Sequence, residues 1–209
     1  MSSIEPTVKR TITFVDGQAL FHATREAFGY TYPNYDVKLL SEEICRIKGL
    51  ELNEIYFYTG IPDIRDNAFW HNFWTKKLSY MGRMGARIFS RSLRYHNESI
   101  NCPLCNKPFT KLVGHEKGID IRIALDVIRL AHEQIYDVAI IFSQDQDLSE
   151  IAEEIRHIAR EQSRWIKIAC AYPVSPTCQN TRGINKTDWI KIDRQLYDSC
   201  IDQKDYRNH

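Results

Sequence analysis

Ile140-Ile141-Phe142-Ser143-Gln144-Asp145-Gln146-Asp147-Leu148 is the stretch whose reading decides the fold. Val138 to Phe142 is a short apolar run bounded by polar residues, the pattern of a strand buried on both faces. Leu148, Ile151, Ala152, Ile155, Ile158 and Ala159 then recur at helical spacing. Ser143, Asp145 and Asp147 therefore fall at a strand-to-helix junction, which in an open α/β sheet lies at the carboxyl edge where ligands bind. Two carboxylates two residues apart can there face a shared cation. Asp147 has a second reading, since Asp147-Leu148-Ser149-Glu150 also fits an N-cap with a Glu three residues on. Asp145 fits no such pattern and is the stronger candidate.

The same arrangement recurs upstream. Arg10 to Val15 alternates, is rich in β-branched residues and ends in Asp16-Gly17, so a first strand delivers a carboxylate at its carboxyl end. Asp16 can equally cap the following helix, which Gly29 stops. Asp36 to Lys48 reads as a helix and Glu54 to Thr59 as the next strand, followed by a turn at Gly60-Ile61-Pro62-Asp63. Arg65 to Met84 reads as a long helix whose Trp70 and Trp74 suit core packing better than base stacking. A further helix opens at Glu116-Lys117-Gly118-Ile119-Asp120. Projected at 100° per residue, Asp120 shares a direction with Ala124, Val127 and Ala131, while Asp126 falls on a polar arc with Arg122, Arg129 and Glu133. A carboxylate in the core-facing stripe needs a cation, a metal or amide donors. Backbone N–H groups of the first turn would serve Asp120 too. Asp126 reads as a surface ion pair.

A chain of 209 residues suffices for one α/β domain with a sizeable core. The net charge is +1, but from Lys76 to Lys117 nine Lys and Arg meet two Glu, a local +7 that leaves −6 elsewhere. That asymmetry suits a polyanion lying across one part of the molecule. No run of 18 apolar residues occurs and the N-terminus lacks a signal-peptide core, so no membrane partner and a cytoplasmic location are expected.

Tyr95 to Glu116 reads as an irregular insertion into one domain spanning 1–209. It holds Cys102-Pro103-Leu104-Cys105, half of a structural zinc site, with His96 and His115 as nearby candidates for the other two ligands. A partner chain or Cys178 offers other ways to complete it, and the loop is a candidate surface for a homodimer or protein partner.

Asp16, Asp120 and Asp145, with Asp147 behind them, come from three junctions of one sheet. Clustered carboxylates bind hard divalent cations that activate water and stabilise in-line attack at phosphorus. No Gly-rich phosphate loop supports a Walker-type NTPase, and no Asp-x-Asp follows the first strand.

Phe14-Val15-Asp16-Gly17, Glu116-Lys117-Gly118-Ile119-Asp120, Asp126, Ser143-Gln144-Asp145-Gln146-Asp147 and Arg182-Gly183-Ile184-Asn185-Lys186-Thr187-Asp188-Trp189 resemble the NYN domain of the PIN-like nuclease superfamily, in its LabA-like or DUF88 group. The resemblance covers about residues 9 to 206. It implies a PIN-like three-layer α/β/α sandwich with a central, mostly parallel sheet, and a ribonuclease that hydrolyses RNA by a water activated by Mg2+ or Mn2+. It also implies metal-binding roles for Asp16, Asp120, Asp145 and Asp147, with Asp126 as a secondary acidic position. On this reading Ser143 contacts a ligand water or phosphate, and Lys117, Arg87, Arg91 and Arg94 track the RNA backbone. One position departs from the family's Asp-Gly-x-Asn motif: Ala19 stands in place of the Asn. Gln18 is then a candidate to compensate, and the alternative is a catalytically weak or silent RNA-binding module.

Overall fold

The computed structural model describes residues 4–207. Strand β1 (Arg10–Asp16) leads into α1 (Gly17–Phe28), then α2 (Val37–Lys48), β2 (Glu51–Ile61), α3 (Ala68–Arg83) and β3 (Arg87–Ser92). A hairpin of β4 (Arg94–Asn101) and β5 (Pro108–His115) follows. Then come α4 (Ile119–His132), β6 (Val138–Phe142), a 3-10 turn (Gln146–Leu148), α5 (Ser149–Glu161), β7 (Lys167–Pro173), β8 (Asp188–Ile192) and α6 (Arg194–Asp198).

Six strands form one sheet in the order β3-β2-β1-β6-β7-β8, and every pair is parallel. The order reverses direction at β1, with β2 on one side and β6 on the other. That is the switch point beside which α/β sheets bind ligands. Side chains alternate along each strand. Val15, Phe57, Ile140 and Phe142 thus pack against α1, α2 and α3, whereas Phe14, Tyr56, Tyr58, Ala139 and Ile141 pack against α4 and α5. The result is the α/β/α sandwich expected from the sequence. Gly29 ends α1 and Gly49 ends α2, both at positive φ (80° and 64°), where a Cβ would be strained.

A buried ion pair fastens the C-terminal segment. Lys77 on α3 donates from Nζ to Asp202 Oδ2 and to the carbonyl of Tyr35, both at 2.8 Å. Burial lowers the Lys77 pKa, and Asp202 opposes that shift.

Several expectations need correction. Gly60 and Ile61 continue β2 instead of turning, because they pair with Arg91 and Ser92 of β3. Residues 95–116 are a regular hairpin in place of a loop, paired from Arg94↔His115 to Asn101↔Pro108. Their polar, largely exposed strands carry no hydrophobic alternation for a sequence reading to detect. The hairpin also separates the proposed zinc ligands. Cys102 and Cys105 sit at its tip, whereas His96 and His115 sit at its foot with ring centroids 6.1 Å apart. Six extended residues from His96 to Cys102 span roughly 20 Å, so these four do not share one ion within a chain. Asp126 is buried instead of lying on the surface: it accepts from Tyr58 Oη (3.0 Å), Arg122 Nε (2.8 Å) and Arg129 (3.3 Å).

No helix among the described residues is long and apolar enough to cross a membrane.

Candidate active site

Parallel strands bring their carboxyl ends to one edge, and the acidic residues gather there. Asp16 ends β1, opposite Tyr58 in the register of β2. Its Oδ1 accepts from the N–H groups of Gln18 (3.0 Å) and Ala19 (2.9 Å), so it caps α1. The capping reading of Asp16 thus holds, and it uses one carboxylate oxygen only. Gly17 must lack a side chain, because an added Cβ would lie 2.5 Å from the Phe57 ring and 3.1 Å from the Tyr58 carbonyl. Asp120 lies in the first turn of α4, where the helix dipole favours a carboxylate and where no side chain caps the helix.

At the β6 end the cap is reversed from expectation. Asp145, and not Asp147, serves as the cap: its Oδ1 accepts the N–H of Asp147 at 3.0 Å, while α5 begins at Ser149 without a side-chain cap. Buried Ser143 accepts the N–H of Asp145 through Oγ at 3.2 Å. Asp145 and Asp147 are both exposed at the mouth. The two glutamines interleaved with them secure the loop. Gln144 donates to the carbonyl of Arg182 (2.9 Å), Gln146 donates to that of Gly183 (3.0 Å), and Gln146 accepts from Asn185 N–H (3.2 Å). The Arg182–Trp189 motif thus buttresses the acidic junction.

Glu116 is the member that sequence reasoning missed as a site residue, although it opens the motif containing Asp120. It stands at the foot of the hairpin and accepts the N–H of Gly60 through Oε2. A Cβ at Gly60 would come within 2.7 Å of that oxygen. Burial, reinforced by the charges of Asp16 and Asp120, pushes the Glu116 pKa up to about 7 against the pull of the Gly60 bond. Burial likewise raises Asp16 to about 6; its two amide bonds oppose this, and Asp120 and Asp145 add to it. Asp16, Glu116, Asp120 and Asp145 thus form an electrostatically linked group, and no ion pair to any of them is present among the described residues. No three His, Cys, Asp or Glu side chains among those residues converge closely enough to make a ready metal-ligand set. As a donor set, four carboxylates from separate elements fit a hard divalent cation, because oxygen is its preferred ligand and positive charge is what the cluster lacks.

Residues 10–162 match the NYN domain family. The chain belongs to that family. NYN domains are a PIN-like nuclease family, and the acidic edge of this NYN domain lies where its sheet topology places a ligand. The matched region ends within the β/α succession, and β7 and β8 extend the same sheet beyond it. A Vibrio parahaemolyticus protein of unknown function has a similar fold, at 19% identity and a TM-score of 0.54, with 91% of this chain and 97% of that one covered. Acinetobacter baumannii MurG aligns at 8% identity over 88% of this chain and 45% of its own, with a TM-score of 0.33 that supports no structural argument. Comparison with curated proteins gives no match.

The basic candidates divide. Arg91 pairs in register with Gly60 at the carboxyl end of β3, its guanidinium close to Gly118, and exposed Lys117 follows Glu116. Arg94 lies at the hairpin foot opposite His115. Arg87 does not belong with them: it sits at the other end of β3, bound to Glu54 at 2.8 Å. Two grooves flank the start of α1. One is lined by Asp16, Ala19, His22, Ser143, Asp145 and Asn180, the other by Gln18, Phe21, Arg25, Asn67, Trp70 and Leu93. Trp74 is core and half-buried Trp70 packs against that core, as expected; both also line the second groove, where the Trp70 and Phe21 ring centroids are 6.4 Å apart. Gln18 extends its amide to the Gly60 carbonyl at 3.5 Å.

Proposed function

We propose that this NYN domain is a divalent-metal-dependent ribonuclease of the LabA-like group. The observation that carries the reading is the concentration of Asp16, Glu116, Asp120 and Asp145 at the sheet's switch point, none of them held in an ion pair among the described residues. Asp16, Asp120 and Asp145 would hold Mg2+ or Mn2+, with Glu116 beside them and Asp147 at the rim. Such an ion, when bound, supplies charge stabilisation for the phosphate and lowers the pKa of water.

The chain's own groups do the rest. The N–H groups of Gln18 and Ala19 fix the rotamer of Asp16, and Ser143 fixes the backbone that carries Asp145. Glu116, with one oxygen held by Gly60, can accept a proton at Oε1 as water attacks phosphorus. Lys117 and Arg91 bring positive charge to the same edge for the phosphate backbone, and Phe21 and Trp70 offer apolar faces for an unstacked base.

Cleavage of end-labelled, mixed-sequence RNA in manganese tests the reading. Loss of cleavage in EDTA and in Asp145→Asn, with unchanged folding by circular dichroism, is the expected result. Undiminished cleavage by Asp145→Asn overturns the assignment, and a DNA strand of the same sequence reports selectivity.

Ala19 favours a second reading, a module that binds RNA without turnover. It lines the groove between Asp16 and Asp145, where its methyl group offers no polar contact. Retention of RNA without cleavage, with activity gained by Ala19→Asn, would support this second reading.

A further inference from the structure

The Cys102/Cys105 pair is left unused by the acidic site. Both thiols are free and stand at the tip of the β4–β5 hairpin, Cys105 exposed and Cys102 half-buried. The turn between them is tightly built: Cys102 N–H donates to the Lys107 carbonyl at 2.9 Å, and Asn106 N–H donates to the Cys102 carbonyl at 2.8 Å. Asn106 adopts the left-handed region (φ 54°) that brings the chain back on itself. Hydrogen bonding from the backbone of Leu104 and Cys105 and from the Cys105 thiol lowers the Cys102 pKa. A Cys-x-x-Cys pair held across one tight turn is half of a tetrahedral thiolate site.

We propose that Cys102 and Cys105 bind zinc together with the same two residues of a second copy of this chain, forming a four-thiolate site that joins two hairpins tip to tip. Within one chain the site has no completion, because no third His, Cys, Asp or Glu joins the pair among the described residues. A structural zinc needs four ligands, and a two-fold axis through the ion supplies the missing two with the fewest new features, each copy presenting the same patch. Two properties of the tip fit this occupant. Leu104, 96% exposed between the cysteines, is an apolar side chain that a second Leu104 would cover. Zinc with four thiolates carries a net charge of −2, and one Lys107 from each copy balances it.

Binding displaces two thiol protons per chain, four per zinc, into the buffer. The site is independent of the nuclease reading, since it shares no residue with the carboxylates.

The test uses the full chain in a non-thiol reductant, titrated with zinc and followed by sedimentation equilibrium, with Cys105→Ser in parallel. Any zinc on the carboxylates is common to both proteins, so the difference in uptake isolates the cysteine site. Expected are half an equivalent of extra zinc per chain, a mass doubled from 24.5 kDa, reversal by EDTA, and a monomeric Cys105→Ser with unchanged circular dichroism. In cobalt, four-thiolate coordination gives intense visible and charge-transfer absorption. One extra zinc per monomeric chain, equal uptake by the two proteins, or a dimer indifferent to zinc and to Cys105→Ser overturns the proposal.

Discussion

Gly60 N–H donates to Oε2 of Glu116 across 56 residues of sequence, joining the carboxyl end of β2 to the foot of the hairpin. That bond holds a carboxylate beside Asp16 and Asp120 in a place where its charge is disfavoured. The protein tolerates local repulsion in order to keep an acidic cluster, which is the pattern of a site that a cation completes.

Glu116→Gln keeps an oxygen for Gly60 and removes the charge. The metal-free variant should be more stable than the natural chain by about 1–2 kcal/mol at pH 8, and should bind Mn2+ more weakly by about tenfold, a loss of ~1.4 kcal/mol. Urea unfolding and calorimetric titration read the two effects. A variant that is less stable and binds manganese normally would make Glu116 a purely structural acceptor.

The pH dependence follows from the raised carboxyl pKa values. Asp16 at about 6 and Glu116 at about 7 both lie above their ordinary values. The folded, metal-free protein therefore holds more protons than the unfolded chain between about pH 4.5 and 7. The stability these protons provide is fully present below the ordinary carboxyl range and is lost as pH rises through 6 and 7, by up to about 1.4 kcal/mol per pH unit for each group. Tm in EDTA should fall from pH 5 to pH 8, and Mg2+ or Mn2+ should restore it at the upper end. A flat profile in EDTA would show that the cluster is not strained.

RNA binding should separate two basic residues that sequence alone treats as equals. Lys117→Ala should weaken binding and reduce the salt slope by about one. Arg87→Ala should change neither, because Arg87 is paired with Glu54 at the far end of β3. Fluorescence anisotropy over a salt series measures both.

Asp126→Ala should unfold at lower urea, by about 2–3 kcal/mol, since it leaves the Tyr58 hydroxyl buried without its acceptor and takes the Asp126 carboxylate from Arg122 and Arg129, the latter keeping Glu133. Its manganese affinity should stay within twofold of the natural chain, as measured by titration. A large loss of affinity at intact stability would return Asp126 to the metal site.

The sheet was readable because its strands announce themselves: Val138 to Phe142 is buried at every position, and Asp16 follows a run that is buried from Thr11 onward. Asp120 and Asp145 were readable as junction residues, because helical periodicity restarts just after each. Glu116 was not, since its place depends on a glycine far away in sequence. The Asp126 environment was hidden for a related reason: a helical projection sees one helix, and the Tyr58 that covers Asp126 comes from β2. The hairpin escaped because polar residues on both faces of two exposed strands leave no period to detect. The cap at Asp145 is hidden because the intervening 3-10 turn delays the start of α5, so that Asp147 also fits an N-cap pattern.

Lys77 and Asp202 give the fold a boundary that motif matching does not. The family match ends at residue 162, yet an excision there would strip β7 from its pairing with β6 and leave an ammonium group sealed in apolar packing with no anion to answer it. The smallest piece of this chain worth expressing runs past Asp202, and a fusion partner belongs after that residue or at the opposite terminus.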